Sequence, residues 1–282
     1  MKPPAQTYLY APTGHQRGFT LVEAIMVMVI TGVLAGILVL FIRQPVQNYL
    51  DASGRAELGD QADLALRRMA RELRGALPNS VRTGLPGGVS MIEFIPTKIG
   101  GRYLSAEDGA GGPVLDFEGG AVDFTVDGSM PVGVTAIAPN DDIVVSNFGT
   151  DFAGADAYVG GNRLHVLNVA GNRVTLVNNN LTLANQSPSQ RFQVVGQPVM
   201  FVCDPVAKTL TRYWNYGFQA VMPVAGAGQS AVLARNVAGC TFEYRVQPNV
   251  HTALIGLSIV LGRPNSDEAI TLAHQIHVDN TP

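Results

Sequence analysis

Residues 24–42 form a run of 19 consecutive residues without a charge. As a helix rising 1.5 Å per residue the run is about 28 Å long, close to the roughly 30 Å of a bilayer hydrocarbon core. It reads as a membrane span rather than as the core helix of a soluble domain. Glu23 stands directly before it, the fifth residue of an apolar segment that begins at Phe19. A carboxylate at that depth costs about 2.5–3.5 kcal/mol on insertion scales and is normally kept only with a partner. A secretory signal peptide would have a shorter apolar core followed by small residues at a cleavage site; here Arg43-Gln44-Pro45 follows. Lys2, His15 and Arg17 precede the span. Positive charge on that side places the amino terminus in the cytoplasm and everything after Ile42 across the membrane.

The stretch Gly18-Phe19-Thr20-Leu21-Val22-Glu23 resembles the processing and methylation motif of type IV prepilins and the related pseudopilins. The resemblance implies that a membrane-embedded prepilin peptidase cuts after Gly18 and methylates the new amino terminus on Phe19. Residues 1–18 are then a discarded leader and take no part in the fold. It also implies that Glu23 guides subunits into a filament. Glu23 lies about one helical turn from the new amine and can pair with the amine of its own chain or of a neighbour. Fixing register is the best-attested reason to keep a buried ion pair despite its desolvation. Within the span, Gly32 and Gly36 form a GxxxG pair that lets helices approach closely; glycine is also simply common in membrane helices.

Pro45, just beyond the run, removes one backbone donor and is expected to kink the helix or mark its exit from the membrane. Helical periodicity then resumes. Leu58, Ala62, Ala65, Met69, Leu73 and Ala76 recur at spacings of three or four and define one apolar face. Glu57, Asp60, Asp63, Arg67, Arg68, Arg71 and Arg74 occupy the other side, with Asp63 and Arg67 at a favourable i, i+4 spacing. That charged side is either a contact for a neighbouring subunit or a solvated face. Pro78 and Asn79 are expected to end the helix, giving one long element over residues 21–77.

With 31 Gly, 17 Pro and 15% charged residues, the rest of the chain reads as turn-rich and β-rich. One short strand is expected at 89–95 within a Gly- and Pro-rich stretch. Period-two patterns then predict strands at 114–117, 121–126, 142–147, 163–169, 173–177, 192–195, 199–203, 209–214, 240–247, 254–261 and 269–278. The clearest is 240–247, where Cys240, Phe242, Tyr244 and Val246 face one way and Thr241, Glu243, Arg245 and Gln247 the other. Strands so spaced, with turns between them, suggest antiparallel sheets.

The carboxy-terminal strands, with Leu233-Ala234-Arg235-Asn236-Val237 and the final His277-Val278-Asp279-Asn280, look like those of minor pilins and J-type pseudopilins. Residues 44–49, 65–73 and 77–82 are most similar to a biogenesis subunit of the mannose-sensitive haemagglutinin (MSHA) type IV pilus. Residues 99–187 match nothing in that resemblance and read as an insert. The implied partners are the prepilin peptidase, other minor and major pilins and the inner-membrane pilus assembly platform. No cofactor is implied.

Cys203 and Cys240 have 36 residues between them and lie on the far side of the membrane by the charge rule. Disulfides persist there, and one closing this loop stabilises by roughly 4 kcal/mol through chain entropy; two buried free thiols are the alternative. The CxxC spacing of a redox-catalytic pair is missing. His274 and His277 form an HxxH, but residues three apart in a strand point to opposite faces, so no metal site is expected. His274 shares a side with Ile270, Leu272, Ile276 and Val278 and reads as packed. His165 and His251 stand alone. Asp141-Asp142 and Asn178-Asn179-Asn180 are calcium-ligand types, but turns favour the same residues. The net charge of −3 becomes −5 without Lys2 and Arg17, which argues against nucleic acid as a main partner. No nucleophile elbow or phosphate loop appears, so an enzyme is not expected.

The expectation is an α+β chain in which one long amino-terminal transmembrane and amphipathic helix packs on an antiparallel β body. Its parts are a leader (1–18), a membrane half (19–43), an amphipathic half (44–78) and a globular body (79–282) of one or two lobes. The expected function is assembly as a minor pilin in the bacterial inner membrane, with the body in the periplasm. A minor pseudopilin of type II secretion and a pilus-tip adhesin are the alternatives.

Overall fold

The computed structural model describes residues 18–106, 111–223, 226, 228–247, 252–264 and 266–281. The protein has an α+β fold, with one long amino-terminal helix and an antiparallel β body. The chain divides into two units, Met1–Ser53 and Gly54–Pro282. Helix α1 (Leu21–Leu73) begins in the first and ends in the second.

Every residue from 18 to 50 is exposed. Large apolar side chains such as Phe41, Leu40 and Met28 therefore have no protein core to enter. Among the described residues this is the one helix long and apolar enough to cross a membrane. Thr31, the hydroxyl within the apolar run, donates to the Val27 carbonyl at 2.6 Å, which satisfies its polar group without water. Helix α1 runs through Pro45. Pro45 thus lies inside the one long element expected, since one lost hydrogen bond does not stop a helix propagated from both sides.

In the second unit, α1 buries Leu58, Ala62, Ala65, Leu66, Met69, Ala70 and Leu73. The helix stops at Leu73 rather than near Leu77. Gly75 and Ala76 donate back over three residues to Glu72 and Leu73, and Leu77 N–H then pairs with the Ile95 carbonyl at 2.7 Å. Sheet pairing has captured the backbone before Pro78 is reached.

The fourteen strands among the described residues pair antiparallel throughout. They are β1 (Arg82–Gly84), β2 (Ser90–Phe94), β3 (Thr97–Tyr103), β4 (Asp123–Asp127), β5 (Asp142–Val144), β6 (Arg163–Ala170) and β7 (Arg173–Leu176), followed by β8 (Arg191–Val195), β9 (Val199–Asp204), β10 (Thr209–Trp214), β11 (Gln229–Arg235), β12 (Val237–Gln247), β13 (Thr252–Gly262) and β14 (Ala269–Asp279). A five-stranded sheet has the order β1-β2-β9-β10-β11, and a three-stranded sheet has the order β12-β13-β14. Strands β3-β4-β7-β6-β5-β8 close into a barrel.

One core joins the buried stripe of α1 to both open sheets. It contains Ile92, Phe94, Phe201 and Leu210 from the first sheet and Ile255, Leu257 and Ile259 from the second. Each such side chain contributes about 1.5–3 kcal/mol by leaving water. Strand β9 is buried along Val199–Cys203 because both its faces are covered. Phe201 and Cys203 enter the helix-side core, while Met200 and Val202 pack with Met91 on the opposite face. Strand β13 alternates, with Ala253, Ile255, Leu257, Ile259 and Leu261 turned inward.

The barrel, residues 97–195, has a separate core around Tyr103, Phe124, Ile143, Leu164, Val174 and Phe192. It interrupts the five-stranded sheet between two paired residues, Phe94 on β2 and Val199 on β9. Strand β3 was not expected, since Thr-Lys-Ile-Gly-Gly-Arg-Tyr reads as a loop. Gly101 is there because the Phe192 ring crosses it: a Cβ would lie 2.5 Å from Phe192 Cζ. The expected strand at 114–117 is instead a loop, because Asp116 turns back to accept the Glu118 and Ala121 N–H groups at 2.8 and 3.0 Å. Its period-two pattern still has meaning, since Leu115 and Phe117 enter the barrel core. Strands β1 and β11 also escaped the sequence reading, being short or weakly apolar.

Candidate processing and assembly site

Gly18, Phe19 and Thr20 precede the first turn of α1 in non-helical backbone. Thr20 caps the helix, its Oγ1 accepting the Glu23 N–H at 3.3 Å. Threonine suits that place because its oxygen satisfies a donor that has no partner within the helix. Glu23 falls in the first turn, where the helix dipole favours a negative charge. Phe19 is 81% exposed, and nothing lies within 4 Å of where a Gly18 side chain would be. Among the described residues nothing covers the Gly18–Phe19 bond. Among the described residues the Glu23 carboxylate has no partner. Gly32 and Gly36, one turn apart, also have open space above them.

Residues 14–39 match the prokaryotic N-terminal methylation motif. The chain therefore carries the prepilin-type signal, and the match runs from before the Gly18–Phe19 bond through most of the apolar run. It supports a place among the type IV pilins and pseudopilins, with processing by prepilin peptidase and association with a membrane. The β body lies outside the match. No curated protein and no solved structure matches the chain.

Residues singled out in the body have local partners. Cys203 and Cys240 are joined in a disulfide between β9 and β12, with their Cα atoms 6.1 Å apart. Beside it, Ser90 Oγ donates to the Cys240 carbonyl at 2.8 Å. The bridge and this hydrogen bond fasten the two open sheets together. Phe242 and Tyr244 are half-buried on the Cys240 side of β12, but Val246 is exposed, correcting the expected dry face at its far end. His274 is half-buried, with Nε2 3.6 Å from Asp63 on α1, and His277 lies on the exposed side of β14. His165 faces Asp142 at 3.2 Å. His15 and His251 lie outside the described residues.

The acidic and amide clusters serve turns and ion pairs. Asp141 accepts from Lys98 Nζ and from the Ala138 N–H, both at 2.8 Å. Asn179 donates to the Asp116 and Ala121 carbonyls at 2.7 and 2.9 Å, and its Oδ1 accepts the Leu181 N–H. Asparagine amides thus zip neighbouring loops of the barrel.

One charged group was missed. Glu93, in the middle of β2, is fully buried. Its carboxylate accepts from Arg82 Nε at 2.5 Å and from the Tyr216 hydroxyl at 2.8 Å. The Arg82 guanidinium also donates to the Gln219 and Ala220 carbonyls, both at 2.8 Å, and lies 3.7 Å from the centre of the Tyr158 ring. Burial pushes the Glu93 carboxyl above the usual range, opposed by Arg82 and Tyr216. The cluster pins the stretch after β10 to β1 and β2. Its one sequence signal was a glutamate within an otherwise apolar strand.

Proposed function

We propose that this protein is a minor pilin that is cut after Gly18, methylated on Phe19 and held in the bacterial inner membrane until it joins other pilins. The observation that carries this reading is the methylation motif over residues 14–39, placed on an exposed, capped helix. The body then lies in the periplasm, where the Cys203–Cys240 bridge is chemically at home. In this reading the apolar stem supplies packing and Glu23 supplies register, pairing with the Phe19 amine of its own or a neighbouring chain. The proposed role is to prime or cap a filament driven by an ATPase elsewhere.

At finer resolution, we read residues 44–49, 65–73 and 77–82 as those of an MSHA pilus biogenesis subunit of the MshO type. The second reading, a J-type pseudopilin of type II secretion, draws on the same motif. A strain lacking the gene, assayed for sheared surface pili and for secreted proteins, separates them. Lost pili with normal secretion support the minor pilin; lost secretion with normal pili assigns the chain to the secretion machinery. At the site itself, Gly18→Glu is expected to leave a longer, unprocessed chain on a gel. Glu23→Val is expected to leave the chain processed and membrane-bound but outside the assembly, and normal assembly in that variant would refute the role given to Glu23.

A further inference from the structure

The flank of α1 turned away from the core changes sign along its length. Glu57 and Asp60 come first, then Leu64, then Arg67, Arg68 and Arg71, with Arg74 just past the helix end, all of them exposed. Alongside runs β11, an edge of the five-stranded sheet that among the described residues pairs only with β10. Between the two lies an open groove of about 470 Å³, with Leu64, Arg67, Arg68 and Arg71 on one wall and Val232 and Leu233 on the other. Leu64 is 68% exposed and Leu233, packed against the helix-side core, is half-buried, so apolar surface on both walls is left to water. A register shift opposite Leu210 and Thr211 sets Leu233 out of the ladder, confining the regular edge to residues 229–232.

The charges of the groove are unbalanced. Arg67 is held by Asp63 at 2.6 Å, and Glu72 is shared between Arg68 at 3.2 Å and Arg212 of β10 at 2.8 Å. Among the described residues Arg71 and Arg74 make no ion pair. Four guanidiniums, from Arg67, Arg68, Arg71 and Arg212, thus meet two carboxylates in a chain whose net charge is −3. The helix dipole accounts for cations in the last turn, but not for Arg67 and Arg68 or for the apolar pair facing them. A free strand edge beside an apolar and basic wall has the parts of a strand-addition site: backbone groups give affinity and side chains give selectivity.

We propose that this groove docks an extended, acidic segment of another protein, added as a strand to the β11 edge. Its helix-facing side chains place one apolar residue between Leu64 and Leu233 and carboxylates on Arg67 and Arg71. The site lies wholly within residues 54–282 and stands whether or not the chain is cut after Gly18.

The test uses the full chain in detergent micelles and a fluorescent peptide in which Thr alternates with Leu or Glu, followed by anisotropy. Binding is expected at low salt, weakening as salt screens the arginines. The double variant R67E/R71E is expected to weaken it at least about tenfold, which corresponds to about 1.4 kcal/mol. The same variant is expected to gain binding of a peptide carrying Lys in place of Glu. Leu233→Glu, on the strand wall, is expected to weaken the acidic peptide while leaving the helix side chains unchanged. Absence of binding to the unaltered chain, or binding undiminished in R67E/R71E and in Leu233→Glu, overturns the proposal. So does concentration-dependent self-association that R67E/R71E abolishes, since the occupant is then a second copy.

Discussion

Glu93 draws its partners from two other segments, Arg82 before β2 and Tyr216 after β10. Glu93→Ala leaves the largely buried guanidinium of Arg82 without its carboxylate, a loss of about 3–5 kcal/mol for a broken buried pair, measurable as a lowered thermal midpoint. The pH dependence follows from the raised pKa. The folded chain holds the Glu93 proton more tightly than the unfolded chain does. Its contribution is therefore greatest below the ordinary carboxylate range and declines as pH rises through the raised value. The midpoint of the wild type relative to Glu93→Gln is expected to increase on acidification from neutral pH; a decrease would mean that the Arg82 pairing outweighs burial. Such a cluster is hard to see in a sequence because its members are far apart in the chain and each is ordinary alone. The amino-terminal motif was legible for the opposite reason: residues 14–39 that match it are contiguous, so the signal is local.

The elements read correctly are those whose pattern is set by one burial environment. The stripe from Leu58 to Leu73 and the alternation of β13 each meet a single continuous core. The misread ones answer to a neighbour instead. Strand β3 carries Gly100 and Gly101, which weaken any strand pattern, and only the Phe192 ring explains Gly101. Gly101→Ala drives a methyl into that ring and is expected to cost about 1–3 kcal/mol, seen as a fall in the denaturation midpoint with the disulfide intact. Removing the disulfide through Cys203→Ser and Cys240→Ser frees a crosslink across a sequence separation of 37. The expected loss is about 2–5 kcal/mol, measured by denaturant titration of oxidised wild type against the double variant. An unchanged midpoint would show that the Ser90–Cys240 hydrogen bond and the shared core already hold β9 to β12.

At the scale of the molecule, the body is two structures on one chain: an open-sheet core shared with α1, and a barrel with a core of its own. The expected insert, residues 99–187, falls inside the 97–195 of the barrel. The barrel itself was not visible in the sequence, because closure depends on pairings such as β3 with β8 that join distant segments. Since Phe94 and Val199 are register partners, a chain in which Asn-Gly directly links them is expected to keep the β2–β9 pairing as a simple hairpin. Formation of the Cys203–Cys240 bridge and strand content by circular dichroism would check this; failure of the bridge to form would show that the barrel is needed to fold the sheets. The same adjacency has a mechanical meaning. If the helix is held and the carboxy-terminal strands are pulled, tension passes from β2 to β9 across their hydrogen bonds and on through the disulfide to β12. The barrel lies outside that path, closed on its own core and held to the body through Tyr158, whose hydroxyl donates to the Ser80 carbonyl. While β2 and β9 stay paired, tension need not pass through the barrel strands, so a pulled chain keeps its barrel folded while the rest of the body carries the force.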